Sequence, residues 1–369
     1  MIHRAKFQNF KALRDVEITF DSRLTVLVGP NGSGKTSVLQ GIGLLAQANR
    51  NPGAVNHVLQ EIRHLISSGT NSSEFQIVVA ALRKDGEEIR FEILPSDAAG
   101  AGARQPRTKR QLAFQIIRAG QNQPLPINQP QLELFKDAFG ETVFLRLDAI
   151  ALADSVQPEL MPPNVQPNGS GLAATLGYLA LNQPEQFAQI VSNFRSLIPN
   201  VEHIRFDEVK SGTGTNKVLL FDFSGGRGIR SNFASNGTLY LLGLLTVILG
   251  PRRPRVILFD DLDHGLHPKA QMELVGVLRK LLTQFPDLQI IATSHSPYIL
   301  NQLAWNEVRV TGLSDDGSAI CARLEDHPEV ERWREAMTPG EFWSHIGDDW
   351  VKKLDKPQTE QPQPTPVAL

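Results

Sequence analysis

Hydrophobic and polar residues alternate through Ile2 to Phe7 and again through Val16 to Phe20, the period of half-buried strands. Leu24 to Val28 (LTVLV) replaces alternation with a nearly continuous apolar run, which predicts a strand covered on both faces of a mixed or parallel sheet. Two further runs of this kind are RVILF at 255–259 and QIIAT at 289–293. Helical periodicity follows Leu24–Val28 in VLQGIGLLAQ and appears in VLQEIRHLI within 51–70. It also marks a pair over 172–197 broken at Asn182-Gln183-Pro184, the apolar segment 238–249, and 268–284. Phe75 to Leu82 and Glu88 to Leu94 predict a hairpin turning at Lys84-Asp85-Gly86. A short helix near 131–139 precedes a strand at Thr142 to Leu147, and strands return at 217–223 and over 307–323. Helical segments fill 328–354. The sum is an α/β fold with a mixed core sheet, an antiparallel β part and a helical insertion.

Punctuation divides this pattern. Residues 96–110 form a loop rich in small and then basic residues, and the Pro/Asn/Gly-rich stretch 157–171 marks a subdomain boundary. The tail DKPQTEQPQPTPVAL has the composition of a disordered segment. Charge narrows the function classes: 37 Lys and Arg against 39 Asp and Glu exclude a grip on nucleic acid through overall positive charge, leaving only a local basic groove. The single cysteine, Cys321, excludes an internal disulfide framework and a Cys-cluster metal site. The longest apolar run, Leu239 to Leu249, is about half a membrane span. With no signal-peptide core at the N-terminus, a soluble cytoplasmic protein is the expectation.

The chemistry begins where the Leu24–Val28 strand runs into Gly29-Pro30-Asn31-Gly32-Ser33-Gly34-Lys35-Thr36-Ser37. This satisfies G-x-x-x-x-G-K-[ST] between a strand and a helix, the context a phosphate loop needs. Glycines let successive N–H groups face a β-phosphate at a helix N-terminus, Lys35 neutralises β/γ oxygens, and the Thr36 hydroxyl ligates Mg²⁺. Asn168-Gly169-Ser170-Gly171 repeats part of the string without a lysine and after a proline linker, so it reads as a loop and helix cap.

Val256-Ile257-Leu258-Phe259 ends in Asp260-Asp261. A buried strand delivering Asp260 to a Mg²⁺ shell, with Asp261 orienting or deprotonating the attacking water, is the Walker B arrangement; the same pair could also cap the next helix. QIIAT leads to Ser294-His295-Ser296-Pro297, and His295 is placed to reach a γ-phosphate, although a histidine after a strand also serves as a plain structural residue. Ala234-Ser235-Asn236-Gly237-Thr238 supplies a capped helix start, which by itself is a weak anion-binding signal.

The order GPNGSGKTS, ASNGT, FDDLDHGLHP, TSHSP, with KFQNFKAL at the opening strand, resembles the ABC-type ATPases of the RecF/SMC/OLD group, especially the stand-alone OLD-like AAA ATP-binding proteins. The resemblance spans residues 1 to about 310. It implies an ATPase head over 1–310 with the helical signature lobe inserted at about 150–250, an α+β cap over 311–354 and a tail over 355–369. It also implies ATP and Mg²⁺ as cofactors and a head-to-tail homodimer that closes on ATP. Ser235, Asn236 and Gly237 of one chain would contact the γ-phosphate held by Lys35 of the other, with Asp263-His264-Gly265-Leu266-His267 at the seam. The chain departs from the family in carrying Asp261 and Asp263 where glutamate is usual, and the shorter Asp261 predicts slow hydrolysis, a switch more than a motor. Gln157 stands plausibly for the glutamine loop among several competing glutamines.

Three functions compete. One is an ATP-driven switch in DNA repair or anti-phage defence, with Arg104, Arg107, Lys109, Arg110 and Arg118 as a phosphate-contacting patch or simply a solvated loop. A second is a non-DNA scaffold ATPase that holds a separately encoded toxin or nuclease. In that case Trp333, Trp343 and Trp350 form either a docking surface or, preferentially, the core of a small cap. The third, an ABC transporter subunit, lacks its LSGGQ string here. About 75 residues follow His295, too few for the nuclease domain of the OLD enzymes, and Asp348-Asp349 among them are expected on a solvated helical face.

Overall fold

A computed structural model describes residues 1–47, 75–83, 86–95, 112–118, 139–155, 162–211 and 214–355. The helix expected within 51–70, the loop 96–110, most of the helix near 131–139, Gln157 and the tail beyond 355 lie outside the described residues.

The chain opens with strands β1 (Ile2–Phe10), β2 (Leu13–Thr19) and β3 (Leu24–Val28), then helix α1 (Lys35–Gln47). Strands β4 (Gln76–Leu82), β5 (Glu88–Pro95), β6 (Leu112–Arg118) and β7 (Thr142–Leu145) follow, then helices α2 (Ala149–Ala153), α3 (Leu172–Asn182) and α4 (Pro184–Leu197). A ribbon of β8 (Val201–Ser211), β9 (Gly214–Phe223) and β10 (Gly226–Arg230) leads to α5 (Asn236–Leu249). Next come β11 (Val256–Phe259), α6 (Pro268–Gln284), β12 (Gln289–Thr293) and α7 (Pro297–Leu300). The described chain ends with β13 (Val308–Leu313), β14 (Ala319–Arg323) and the short helices α8 (Val330–Trp333), α9 (Pro339–Ile346) and α10 (Val351–Asp355).

The three apolar runs are neighbours or near-neighbours in one six-stranded sheet of order β14-β13-β3-β12-β11-β7, parallel except for β14. Every residue of β3, β11 and β12 is buried, as expected of strands covered on both faces. The sheet continues through β13 past residue 311, where the sequence reading starts the cap. The alternating N-terminal strands instead build an antiparallel sheet of order β2-β1-β4-β5-β6. A buried side chain and a helix are among the links between the sheets. The buried Gln289 side chain accepts from the Ile2 N–H at 2.9 Å and donates to the Ile2 carbonyl at 2.7 Å. Helix α1 fills the space between them with Val38, Leu39, Ile42 and Leu45. Gly41 makes that packing possible: a Cβ there would lie 2.4 Å from the Phe7 ring.

A second lobe packs α3, α4 and the β8–β10 ribbon around the nearly all-buried α5. The helix pair breaks at Asn182–Pro184 as expected, and Gly171 caps α3 without a side-chain bond, consistent with a plain cap. Strand β8 carries no clean alternation and was missed in the sequence; it is held by pairing along its length with β9. At the C-terminus Trp350 is buried, and Trp333 and Trp343 pack against the same core. The tryptophans therefore pack inward on a core shared with the central sheet. Among the described residues no helix is long and apolar enough to cross a membrane.

Candidate functional site

The phosphate loop lies between β3 and α1, with Gly29, Gly32 and Gly34 at φ of +140°, +81° and +90°. L-residues with a side chain are strained there, so the glycines are required by the loop's curl. Gly29 is also confined: a Cβ would lie 2.2 Å from the Thr311 carbonyl oxygen. Thr311, on β13, braces the loop from behind, its hydroxyl donating to Val28 O at 2.9 Å and lying 2.5 Å from the Ser33 hydroxyl. Asn31 and Gly32 remain exposed at the tip, while Ser33, Gly34 and Lys35 are buried; Thr36 and Ser37 are half-buried on the first turn of α1.

The Lys35 amine donates to the carbonyls of Gly29 and Pro30, both at 2.9 Å. Burial pushes its pKa down, opposed by the carboxylates of Asp261, Asp348, Asp260 and Asp263. A buried amine ringed by carboxylates and bonded to its own loop is poised to exchange carbonyl partners for phosphate oxygens.

Asp260 closes the far side. Its Oδ1 accepts from the Thr36 hydroxyl at 2.9 Å and from the Thr293 hydroxyl at 2.9 Å. Thr36 and Asp260 present a hydroxyl and a carboxylate oxygen within one hydrogen bond of each other, a hard-oxygen pair that fits Mg²⁺. Among the described residues no cluster of three or more His, Cys, Asp or Glu could hold a metal by itself, so phosphate and water oxygens would complete such a shell.

Asp261 sits at φ +58°, a left-handed backbone that asparagine and aspartate tolerate best. Its N–H donates to the Thr293 hydroxyl at 2.8 Å, so one threonine fixes both members of the acidic pair. Desolvation first, and then the neighbouring Asp260, raise the Asp261 carboxyl above the usual range. Sequence reasoning did not single out Thr293; its signal was the last position of the buried run before Ser294-His295. His295 is exposed, its N–H held by Asp263 Oδ1 at 3.1 Å, and its ring is close enough to Asp261 to oppose that carboxyl's shift.

Ser235 N-caps α5, accepting from the Thr238 N–H at 3.2 Å. Ser235 and Asn236 are exposed, but Gly237 is buried against the 263–267 loop: a Cβ on it would lie 2.5 Å from Gly265 O. Tyr240 stacks on His264, with ring centroids 5.1 Å apart. The helix start and the 263–267 loop are therefore packed together within one chain.

One expectation changes. Asp348 and Asp349 lie in the turn between α9 and α10, off any helix; Asp349 is exposed, but Asp348 is half-buried, accepts from the Trp343 indole N–H at 2.7 Å, and is raised above the usual carboxylate range by that burial. Of the basic patch, Arg104, Arg107, Lys109 and Arg110 lie outside the described residues, and Arg118 pairs with Glu87 at 3.5 Å.

Residues 24–301 match the family model described as "AAA domain, putative AbiEii toxin, Type IV TA system". Two relatives are Septu proteins PtuA. The one from Bacillus mycoides (strain KBAB4) is 23% identical over 84% of this chain and 40% of its own length; that from Bacillus thuringiensis is 22% identical over 94% and 84%. A third, the DNA double-strand break repair Rad50 ATPase of Methanopyrus kandleri, is 28% identical over 41% of this chain and 16% of its own. The chain thus spans less than half of the first and third relatives. Among solved structures, an SMC head bound to the C-terminal winged-helix domain of ScpA covers 87% of this chain and is itself 96% covered, with a TM-score of 0.56 at 16% identity, a likeness of fold. The chain belongs to this AAA-domain family and is an ABC-type ATPase of the RecF/SMC/OLD group.

Proposed function

We propose that this ATPase binds Mg·ATP on the 29–37 loop, closes into a head-to-tail homodimer and hydrolyses slowly, acting as a switch for a separately encoded effector in anti-phage defence or DNA repair. The observation that carries the reading is the Thr36–Asp260–Thr293–Asp261 chain of hydrogen bonds, which joins the phosphate loop to the acidic pair. The PtuA relatives, matched over most of this chain, support the defence side; the Rad50 relative supports the repair side over a shorter span.

In this reading Lys35 and the loop N–H groups would hold the β- and γ-phosphates, and Thr36 and Asp260 would hold the metal ion. Bound Mg²⁺ supplies neutralisation of phosphate charge. Asp261 orients the attacking water and takes its proton, and His295 donates toward the γ-phosphate oxygens. The exposed Ser235 and Asn236 would complete the partner's site. Size exclusion of Asp261→Asn with and without ATP tests this directly: an ATP-dependent shift to dimer, lost in Ser235→Arg, supports it, and a monomer under all conditions overturns it. A DNA role through 104–118 requires affinity that falls steeply with salt and vanishes when those residues are neutralised.

The scaffold reading without DNA keeps the same site and differs only in what the closed dimer holds. Pull-down of neighbouring gene products separates the two.

A further inference from the structure

One buried amide ties together two loops that carry site residues. Gln271, in the first turn of α6, is buried. Its side-chain N–H groups donate to the carbonyls of Leu266 at 2.9 Å and Asp263 at 3.4 Å, and its Oε1 accepts from the Ser296 hydroxyl. The same Ser296 oxygen accepts from the Tyr298 N–H at 3.1 Å and so caps α7. His295, beside it in the chain, donates its own N–H to the Asp263 carboxylate at 3.1 Å. The turn bearing His295 is thus fixed to the 263–267 loop twice, once through its backbone and once through Gln271. That loop in turn carries the start of α5, with Gly265 O in close approach to Gly237 and the His264 ring against Tyr240.

An amide serves both ends of this bridge. Its NH₂ carries two protons for two carbonyls, and its oxygen takes the hydroxyl proton. A carboxylate would set an oxygen against those carbonyls, and a methionine would leave all three groups without these bonds. His295 is exposed, so packing does little to place its ring and the turn beneath it does most. We propose that Gln271 is a positioning residue for hydrolysis: it acts on His295 through the Ser296 turn and makes that turn and the 263–267 loop, with the α5 start packed on it, move as one unit. The proposal rests on the reading of His295 as the donor toward the γ-phosphate.

The test compares the wild-type full chain with Gln271→Met, which keeps the side chain's length and removes the bridge. Single-turnover hydrolysis of ATP with Mg²⁺ is expected to slow roughly tenfold, since a small misplacement of a reacting group is costly in rate. Calorimetry should show the affinity for a non-hydrolysable ATP analogue within about twofold of wild type, because no phosphate contact is lost. In a His295→Ala background the same substitution should change the rate by less than about twofold, since residues that act through one group are not additive. Without nucleotide, amide hydrogen exchange read by mass spectrometry is expected to quicken in peptides covering 263–267 and 294–298 together. An unchanged rate, a further loss of the same size in the His295→Ala background, or faster exchange in only one of the two peptides overturns the proposal and leaves the ATP site standing. Ser296→Ala cuts the bridge at its other end and carries the same expectations should Gln271→Met fail to fold. Wild-type turnover in His295→Ala would instead remove the histidine's role, and the proposal with it.

Discussion

Thr36 and Asp260, 224 residues apart in the chain, meet at 2.9 Å. Strand β11 delivers the carboxylate and the first turn of α1 the hydroxyl, with β12 between their strands in the sheet. Oxygen donors are brought together here by parallel strands ending on one edge, the place where open α/β sheets bind ligands.

Replacing Lys35 with alanine is expected to weaken ATP binding by two orders of magnitude or more, since a desolvated charge–phosphate contact is lost. Titration calorimetry reads this, and circular dichroism should report an unchanged fold because the amine bonds only carbonyls of its own loop.

Thr293→Val tests the residue that the motifs did not mark. It keeps shape but leaves the Asp261 N–H without its acceptor and Asp260 with one hydroxyl donor fewer. A stability loss of about 1–3 kcal/mol in urea unfolding is expected, with turnover falling roughly tenfold to a hundredfold while ATP affinity changes little.

Asp261 predicts a pH profile. Its carboxyl titrates above the usual range, and a base works only when ionised, so kcat should fall on acidification with a midpoint above that of an ordinary aspartate. The stability sign is opposite: the native state binds this proton more readily than the unfolded chain, so ionisation of Asp261 costs stability as pH rises through the window between the two pKa values. Asp261→Asn should abolish turnover and also remove that part of the pH dependence. Asp261→Glu would extend the carboxylate toward the water and raise turnover, at about 1 kcal/mol of strain from its left-handed backbone.

Gly237→Ala should push the α5 start away from the 263–267 loop, because the added methyl would meet Gly265 O at 2.5 Å. The expected cost is about 1–3 kcal/mol, read by thermal unfolding, with loss of ATP-dependent dimerisation.

Cys321 is expected to stay unreactive toward thiol reagents at neutral pH in the native protein, since burial pushes its pKa up to about 12 and little thiolate forms. Labelling at the rate of a free thiol would contradict that environment.

The sequence by itself determined the ATPase motifs and most elements of the core sheet, because each rests on local chemistry. Runs such as LTVLV and QIIAT must be buried wherever they fold, and a glycine loop between strand and helix needs few distant partners to be recognised. It could not show β8, whose polar residues gain their strand only by pairing with β9, nor Thr293, whose hydroxyl is one of many until the sheet sets it between Asp260 and Asp261. Asp348 illustrates the same limit more sharply. Beside Asp349 it reads as half of a solvated acidic pair, and only the docking of α9 on α7 and of its own turn on Gly312 half-buries it against the Trp343 indole. Periodicity fixes which face of an element is covered; which distant charges then face one another is decided by packing, through contacts that leave no local pattern in the chain.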